Sequence, residues 1–168
     1  LYQDGIALSV YRNRYRLKRK GINYGRYKLY DKKWLHDLNI KTVIDIGANI
    51  GEFTIIYSEL FEKATLYAFE PLPACYEKLS KRTSGINRIH VYECGLGDTI
   101  GEQSINLSSW HPASSFRSMD ATHKVNYPHS ADSVSVTVNI NKLDNILSTK
   151  DMVGNVFIKM DVQGFEDE

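Results

Sequence analysis

Nine consecutive residues, Val43-Ile44-Asp45-Ile46-Gly47-Ala48-Asn49-Ile50-Gly51, carry the strongest chemical signal in the chain. An apolar run ends in an acid, a turn follows with the spacing Asp-x-Gly-x-Asn-x-Gly, and a helix-like pattern begins. A strand delivered into so tight a turn lets a ligand reach backbone. Glu70 comes 19 residues after Gly51, at the end of the next apolar run, Ala64–Phe69. A glycine-rich first turn and an acid closing the second strand are the marks of a nucleoside-binding half of a doubly wound sheet. Asp98 and Asp161 fall at comparable places. Four acids thus converge on the carboxyl ends of strands, where open α/β sheets hold their ligands.

The kind of nucleoside follows from the turn. A dinucleotide fold wants Gly-x-Gly-x-x-Gly with a pyrophosphate on the helix N-terminus. Here Asn49 stands at the middle position, and asparagine tolerates positive φ better than most residues. Asp45 beneath the turn repels a pyrophosphate and favours an ammonium or sulfonium group. S-adenosylmethionine carries both, together with ribose hydroxyls for the Glu70 carboxylate to accept. The plainer alternative is that Asp45 and Asn49 merely shape the strand–helix junction.

These residues need a scaffold, and from Lys41 onward strands and helices alternate. Thr42–Ile46 reads as a parallel strand buried on both faces. Glu52–Phe61 follows with Phe53, Ile56 and Leu60 at helical spacing. Ala64–Phe69 is a second strand, and Pro73 suits the first turn of a helix over 73–82. Ile89–Glu93 is a third strand, and Gly95-Leu96-Gly97-Asp98 is a sharp turn. Ser104–Leu107 and Ser133–Ile140 read as two added antiparallel strands, with the Ser/His/Pro-rich segment 108–132 looping over the ligand mouth between them. Val156–Met160 is a further buried strand ending at Asp161. The expected fold is α/β, a mostly parallel, doubly wound, Rossmann-like sheet with right-handed crossovers.

Residues 1–41 form a distinct leader ahead of a domain spanning 42–168. The leader holds 11 Lys/Arg against Asp4, Asp31 and Asp37, a net of +8, and the remainder is −7. It is partly helical: Ile6, Val10 and Leu17 line one side, Gly21–Gly25 is turn chemistry, and Asp31 caps a short helix carrying Trp34, Leu35 and Leu38 on one face. Its basic run fits either nucleic acid or an anionic lipid surface, or a solvated leader held by the acidic domain or by a partner chain, and the last reading is favoured. At 168 residues and 42% hydrophobic, the chain has enough apolar mass for one core. No apolar run approaches the ~18 residues of a membrane span, and no signal-peptide pattern is present. Cys75 and Cys94 suit neither a disulfide framework nor a zinc site, so both are expected in the core, in a reducing, cytoplasmic setting.

The ordered set of motifs resembles the FkbM-type family of S-adenosylmethionine-dependent methyltransferases. The matching pieces are Val43–Gly51, Ala68–Pro73, Gly95–Asp98, Ala113–Phe116 and Ile158–Glu166, and the last, Lys-x-Asp-x-Gln-Gly-x-Glu, is the most specific. The resemblance implies that Asp45, Gly47, Asn49 and Gly51 border the methionine part of the cofactor. It implies that Glu70 takes the ribose hydroxyls, that Gly97 and Asp98 lie near the adenine, and that Asp161 sits by the methyl group. Members mostly methylate hydroxyls, often on sugars or secreted small molecules, so a small-molecule or glycan acceptor is implied. Where this sequence stops, at Phe165-Glu166-Asp167-Glu168, members continue with a helix and further strands. The sheet is therefore expected to be incomplete, with its fourth parallel strand an exposed edge unless a second copy covers it.

In such a site Asp161 orients or deprotonates the acceptor hydroxyl, or else binds the cofactor's amino group; as a base it needs burial to raise its pKa. Lys159, two residues earlier on the same face, pairs with Asp161 or with another buried acid. Ser114, Ser115 and Glu166 are candidate acceptor contacts, and Trp110 and Phe116 wall the pocket or pin the loop. His111, His123 and His129 match no metal spacing, so no metal site is expected. His36 and His90 read as structural. Two rival functions remain: an RNA-binding protein or RNA methyltransferase using the basic leader, and a cofactor-binding remnant without catalysis.

Overall fold

The alternating apolar runs pair as parallel strands. The structure, a computed structural model, describes residues 14–108 and 133–162. Residues 14–19 are helical (α1), followed by α2 (Tyr24–Tyr30) and α3 (Lys33–Asp37). Then come β1 (Ile40–Ile46), α4 (Glu52–Leu60), β2 (Thr65–Phe69), α5 (Pro73–Thr83) and β3 (Ile89–Tyr92). The described chain closes with β4 (Gly95–Leu96), β5 (Gly101–Ser108), β6 (Ser133–Asn141), a single turn α6 (Leu143–Ile146) and β7 (Asn155–Met160). A four-stranded parallel sheet has the order β3-β2-β1-β7, and a smaller sheet has the order β4-β6-β5. The chain is an α/β protein, and the carboxyl ends of β1 and β2 lead into the turn Gly47–Gly51 and Glu70.

Two-residue periodicity sorts the side chains between the faces of the main sheet. Val43 and Leu66 meet Ile55, Ile56 and Leu60 of α4 in one core cluster. Ile44, Tyr67 and Phe69 meet Cys94 and Leu147 on the opposite face. Three consecutive β-branched residues, Thr54-Ile55-Ile56, are poor helix formers, so α4 owes its helix to burial between sheet and leader. Pro73 occupies the first turn of α5, as its fixed φ and missing N–H predict. Both cysteines are buried and unpaired.

Four expectations need correction. The segment Gly95–Asp98 is not simply a turn: Gly95 and Leu96 run parallel to Ile140 and Asn141 of β6, and the bend comes at 98–99. β5 and β6 are antiparallel as expected, but they join β4 in a sheet of their own rather than extending the main one. Asp31 does not cap α3, whose N-cap is Lys32; its carboxylate bonds Lys28 and the His36 ring at 3.1 and 2.7 Å. Leu35 alone of the three apolar residues assigned to that helix is buried, while Trp34 is 61% exposed. α2 was hidden by the turn residues around it. Asn23 caps it, and Tyr24, Tyr27 and Tyr30 pack against the α4 cluster.

Three of the leader's basic side chains reach acids of the domain. Lys20 and Arg16 converge on the buried Glu59 of α4, Arg16 reaches Glu62 at 3.1 Å, and Arg26 pairs with Glu52. Leu17 and Ile22 enter the same core as α4. At the other side, β7 pairs only with β1 among the described residues, and its Ile158 and Met160 are 52% and 54% exposed. Val156–Met160, expected as a buried strand, is thus only half-buried to exposed in the described structure. No helix among the described residues is long and apolar enough to cross a membrane.

Candidate active site

Strand register brings the first two charged groups together. Asp45 on β1 lies beside Lys159 on β7 in the parallel pairing, and both side chains emerge on the α4 face. Their charges are 3.1 Å apart, and Asp45 is 1% exposed. The second Asp45 oxygen accepts from Thr54 Oγ1 at 2.7 Å, from the first turn of α4. The Lys159 ammonium also donates to the Gly47 carbonyl at 2.9 Å and lies 5.3 Å from the centre of the Phe53 ring. Of the two partners weighed for Lys159, the structure shows Asp45. The acid beneath the turn is thus neutralised from within the chain, and it anchors β1, β7 and α4 to one another.

The turn itself requires left-handed backbone at Gly47 (φ 72°), Asn49 (φ 51°) and Gly51 (φ 78°). A Cβ on Gly47 would lie 2.1 Å from the Asp161 carbonyl, and one on Gly51 would lie 2.6 Å from Leu79 Cδ1. The glycines therefore permit two close approaches, one to the end of β7 and one to α5. Asp161 N–H donates to the Ile46 carbonyl at 3.1 Å, which fixes the end of β7 against the turn.

Every amide of the turn is donated inside the protein. Gly47 and Ala48 N–H both reach the Phe69 carbonyl, at 3.0 and 2.9 Å. Asn49 N–H reaches Glu70 Oε2 at 2.7 Å, Ile50 N–H the Asn49 side-chain oxygen at 2.8 Å, and Gly51 N–H the Ala48 carbonyl at 2.9 Å. Phosphate cradles work by pointing such amides at the anion. This turn has none to offer, and Glu52 adds an acid directly after it.

Glu70 holds the turn from the second strand. Its two oxygens accept from Asn49 N–H and from Leu72 N–H, the latter at 2.9 Å, and it is 4% exposed. A carboxylate has about four lone-pair sites, so each oxygen keeps one for a ligand hydroxyl. Burial pushes its pKa above the ordinary 4.5, and the two backbone N–H groups oppose that shift. A carboxyl whose pKa is raised by folding favours the folded state most below its unfolded pKa. That contribution is lost as pH rises through the folded value. Acidification across the region above 4.5 should therefore raise the stability of the wild type relative to Glu70→Gln, in urea unfolding followed at several pH values. A constant difference would show that Glu70 is not desolvated.

Of the other candidates, Asp161 is exposed at the end of β7 and Gly97 donates to the Asn141 carbonyl at 3.1 Å. Asp98 is exposed beside the small sheet. Ser114, Ser115, Glu166, Trp110, Phe116, His111, His123 and His129 lie outside the described residues. His36 bonds Asp31, and His90 stacks on Tyr67 at 5.3 Å. Thr54 and the Phe69 carbonyl are parts of the site that the sequence did not announce. Thr54 reads as an ordinary α4 residue until its first-turn position is set against Asp45. Among the described residues no three His, Cys, Asp or Glu side chains group to hold a metal.

The profile of the methyltransferase FkbM domain matches residues 45–168. Methyltransferase 1 of Beauveria bassiana is 25% identical over 138 residues, covering 74% of this chain and 55% of that protein. The 2-O-methyltransferase NoeI of Sinorhizobium fredii is 26% identical over 133 residues, covering 75% and 54%. The chain thus spans about half the length of these two relatives. The crystal structure of methyltransferase FkbM from Methylobacillus flagellatus is 19% identical, with a TM-score of 0.45 over 75% of this chain and 27% of that one.

Proposed function

Because the chain belongs to the FkbM methyltransferase family, we propose that it binds S-adenosylmethionine and methylates a hydroxyl of a sugar or other small-molecule acceptor. The observation that carries the cofactor reading is the turn whose five amides are all donated internally. Those five amides are not offered to a phosphate, and the Glu70 carboxylate keeps acceptor sites for the hydroxyls of a nucleoside. S-adenosylmethionine, when bound, supplies a methyl group already activated by its sulfonium sulfur.

In this reading Gly47, Asn49 and Gly51 border the methionine end, and the remaining lone pairs of Glu70 take the ribose hydroxyls. Gly97 and Asp98 border the adenine. Asp45 and Lys159 are positioning residues, because their charges are directed at each other and at the turn rather than at ligand. Asp161 remains the candidate to orient the acceptor hydroxyl or accept its proton. The relative named a 2-O-methyltransferase supports a hydroxyl acceptor. Against the rival RNA reading, two cations of the basic run, Arg16 and Lys20, are paired with Glu59 and Glu62 of the domain.

Titration calorimetry with adenosylhomocysteine should give one site of about micromolar affinity, roughly −8 kcal/mol. Glu70→Ala should weaken it at least about tenfold, roughly 1.4 kcal/mol, and NAD and ATP should not compete at millimolar concentration. A folded chain that ignores adenosylhomocysteine, or binds ATP equally well, would sink the proposal. Labelled methyl transfer to a panel of sugars, in parallel with RNA, then separates the acceptor classes and shows whether binding occurs without turnover.

A further inference from the structure

The leader reaches the cofactor turn through three contacts that the family motifs do not include. Arg82, near the end of α5, donates from one guanidinium nitrogen to the Gly21 carbonyl at 2.9 Å and from the other to the Ile50 carbonyl at 3.4 Å. One planar fork therefore joins the leader's turn to the cofactor turn. Gly21 is left-handed (φ 68°), and a Cβ there would stand 3.4 Å from the same nitrogen. Arg26 of α2 pairs with Glu52, the residue directly after Gly51. Tyr30 of α2 meets the Phe53 ring edge-on at 5.2 Å, and the Lys159 ammonium lies near that same ring.

We infer that the leader is a brace for the cofactor turn, and that Arg82 is the positioning residue that couples the two. This rests on the reading of the turn as the S-adenosylmethionine site. Asn49 and Ile50 lie between the left-handed Gly47 and Gly51, and apart from Glu70 the N–H partners of residues 49–51 are all local. Arg82 and Arg26 add ties from outside the turn, one on Ile50 and one on Glu52. The leader's other ion pairs, those of Arg16 and Lys20 with Glu59 and Glu62, grip α4 at its far end. The two sets have separable consequences: loosening the far set frees the leader from α4, and loosening the near set frees the turn.

The test compares Arg82→Met with Arg16→Met by adenosylhomocysteine calorimetry and by amide hydrogen exchange of the unliganded protein. Arg82→Met is expected to weaken binding about tenfold and to speed exchange at Asn49 and Ile50. Arg82→Lys should fall between wild type and Arg82→Met, because an ammonium lacks the rigid fork. Arg16→Met is expected to bind within twofold of wild type with those amides still protected. If wild type binds and Arg82→Met matches Arg16→Met in both readouts, the brace is overturned while the cofactor reading survives. If wild type does not bind, the cofactor reading fails first, and exchange at Asn49 and Ile50 still decides whether Arg82 holds the turn.

Discussion

Lys159→Met should lower the unfolding free energy by about 3–5 kcal/mol, the cost of leaving one member of a buried ion pair without its partner. Asp45 is 1% exposed, so water cannot replace the ammonium, and Thr54 supplies only one hydrogen bond to the carboxylate. The Gly47 carbonyl loses a donor at the same time. The double variant Asp45→Asn/Lys159→Met removes the orphaned charge and should recover a large part of that loss. Denaturant unfolding of the two single variants and the double variant closes the cycle. Strict additivity would show that the two groups do not act as a pair.

Gly47→Ala is the second large effect. Alanine at φ 72° costs about 1–2 kcal/mol for the left-handed backbone alone. The added Cβ would stand 2.1 Å from the Asp161 carbonyl, so the end of β7 or the turn must move as well. The combined loss should reach roughly 2–5 kcal/mol. The same displacement moves Asp161 relative to the turn, so adenosylhomocysteine binding should disappear even under conditions where the variant remains folded. By contrast Asn49→Gly should fold normally, since glycine accepts φ 51° and loses only the side-chain bond to Ile50 N–H. Circular dichroism and calorimetry on the two variants distinguish a requirement at Gly47 from a general sensitivity of the turn.

The residues that build the turn were legible because burial on both faces leaves β1 and β2 as unbroken apolar runs, so Asp45 and Glu70 stand out at their ends. α4 and α5 were legible from periodicity and from Pro73. The destination of the Asp45 carboxylate was not. Lys159 lies 114 residues away in sequence, and only the β1–β7 register makes them neighbours. Sequence spacing relates Lys159 to Asp161 and has no means of stating a cross-strand pairing. α2 was hidden because Gly25 and the preceding Gly21 read as turn chemistry, although the spacing of Tyr24, Tyr27 and Tyr30 already traces a helix face. β4 was hidden because a two-residue strand exists only through its partner β6.

The closed hydrogen-bond ledger of the turn has a consequence for selectivity. Adenosine is common to ATP, NAD and S-adenosylmethionine, so recognition of the base and ribose alone cannot separate them. Wherever nucleotides outnumber the methyl donor, discrimination must come from the part of the site beyond the base and ribose. In the proposed site the five turn amides are each bonded within the protein, so the turn itself adds no donor to a phosphate. Under that proposal the turn gives the abundant nucleotides no advantage over the methyl donor, and the preference is left to contacts with the methionine end.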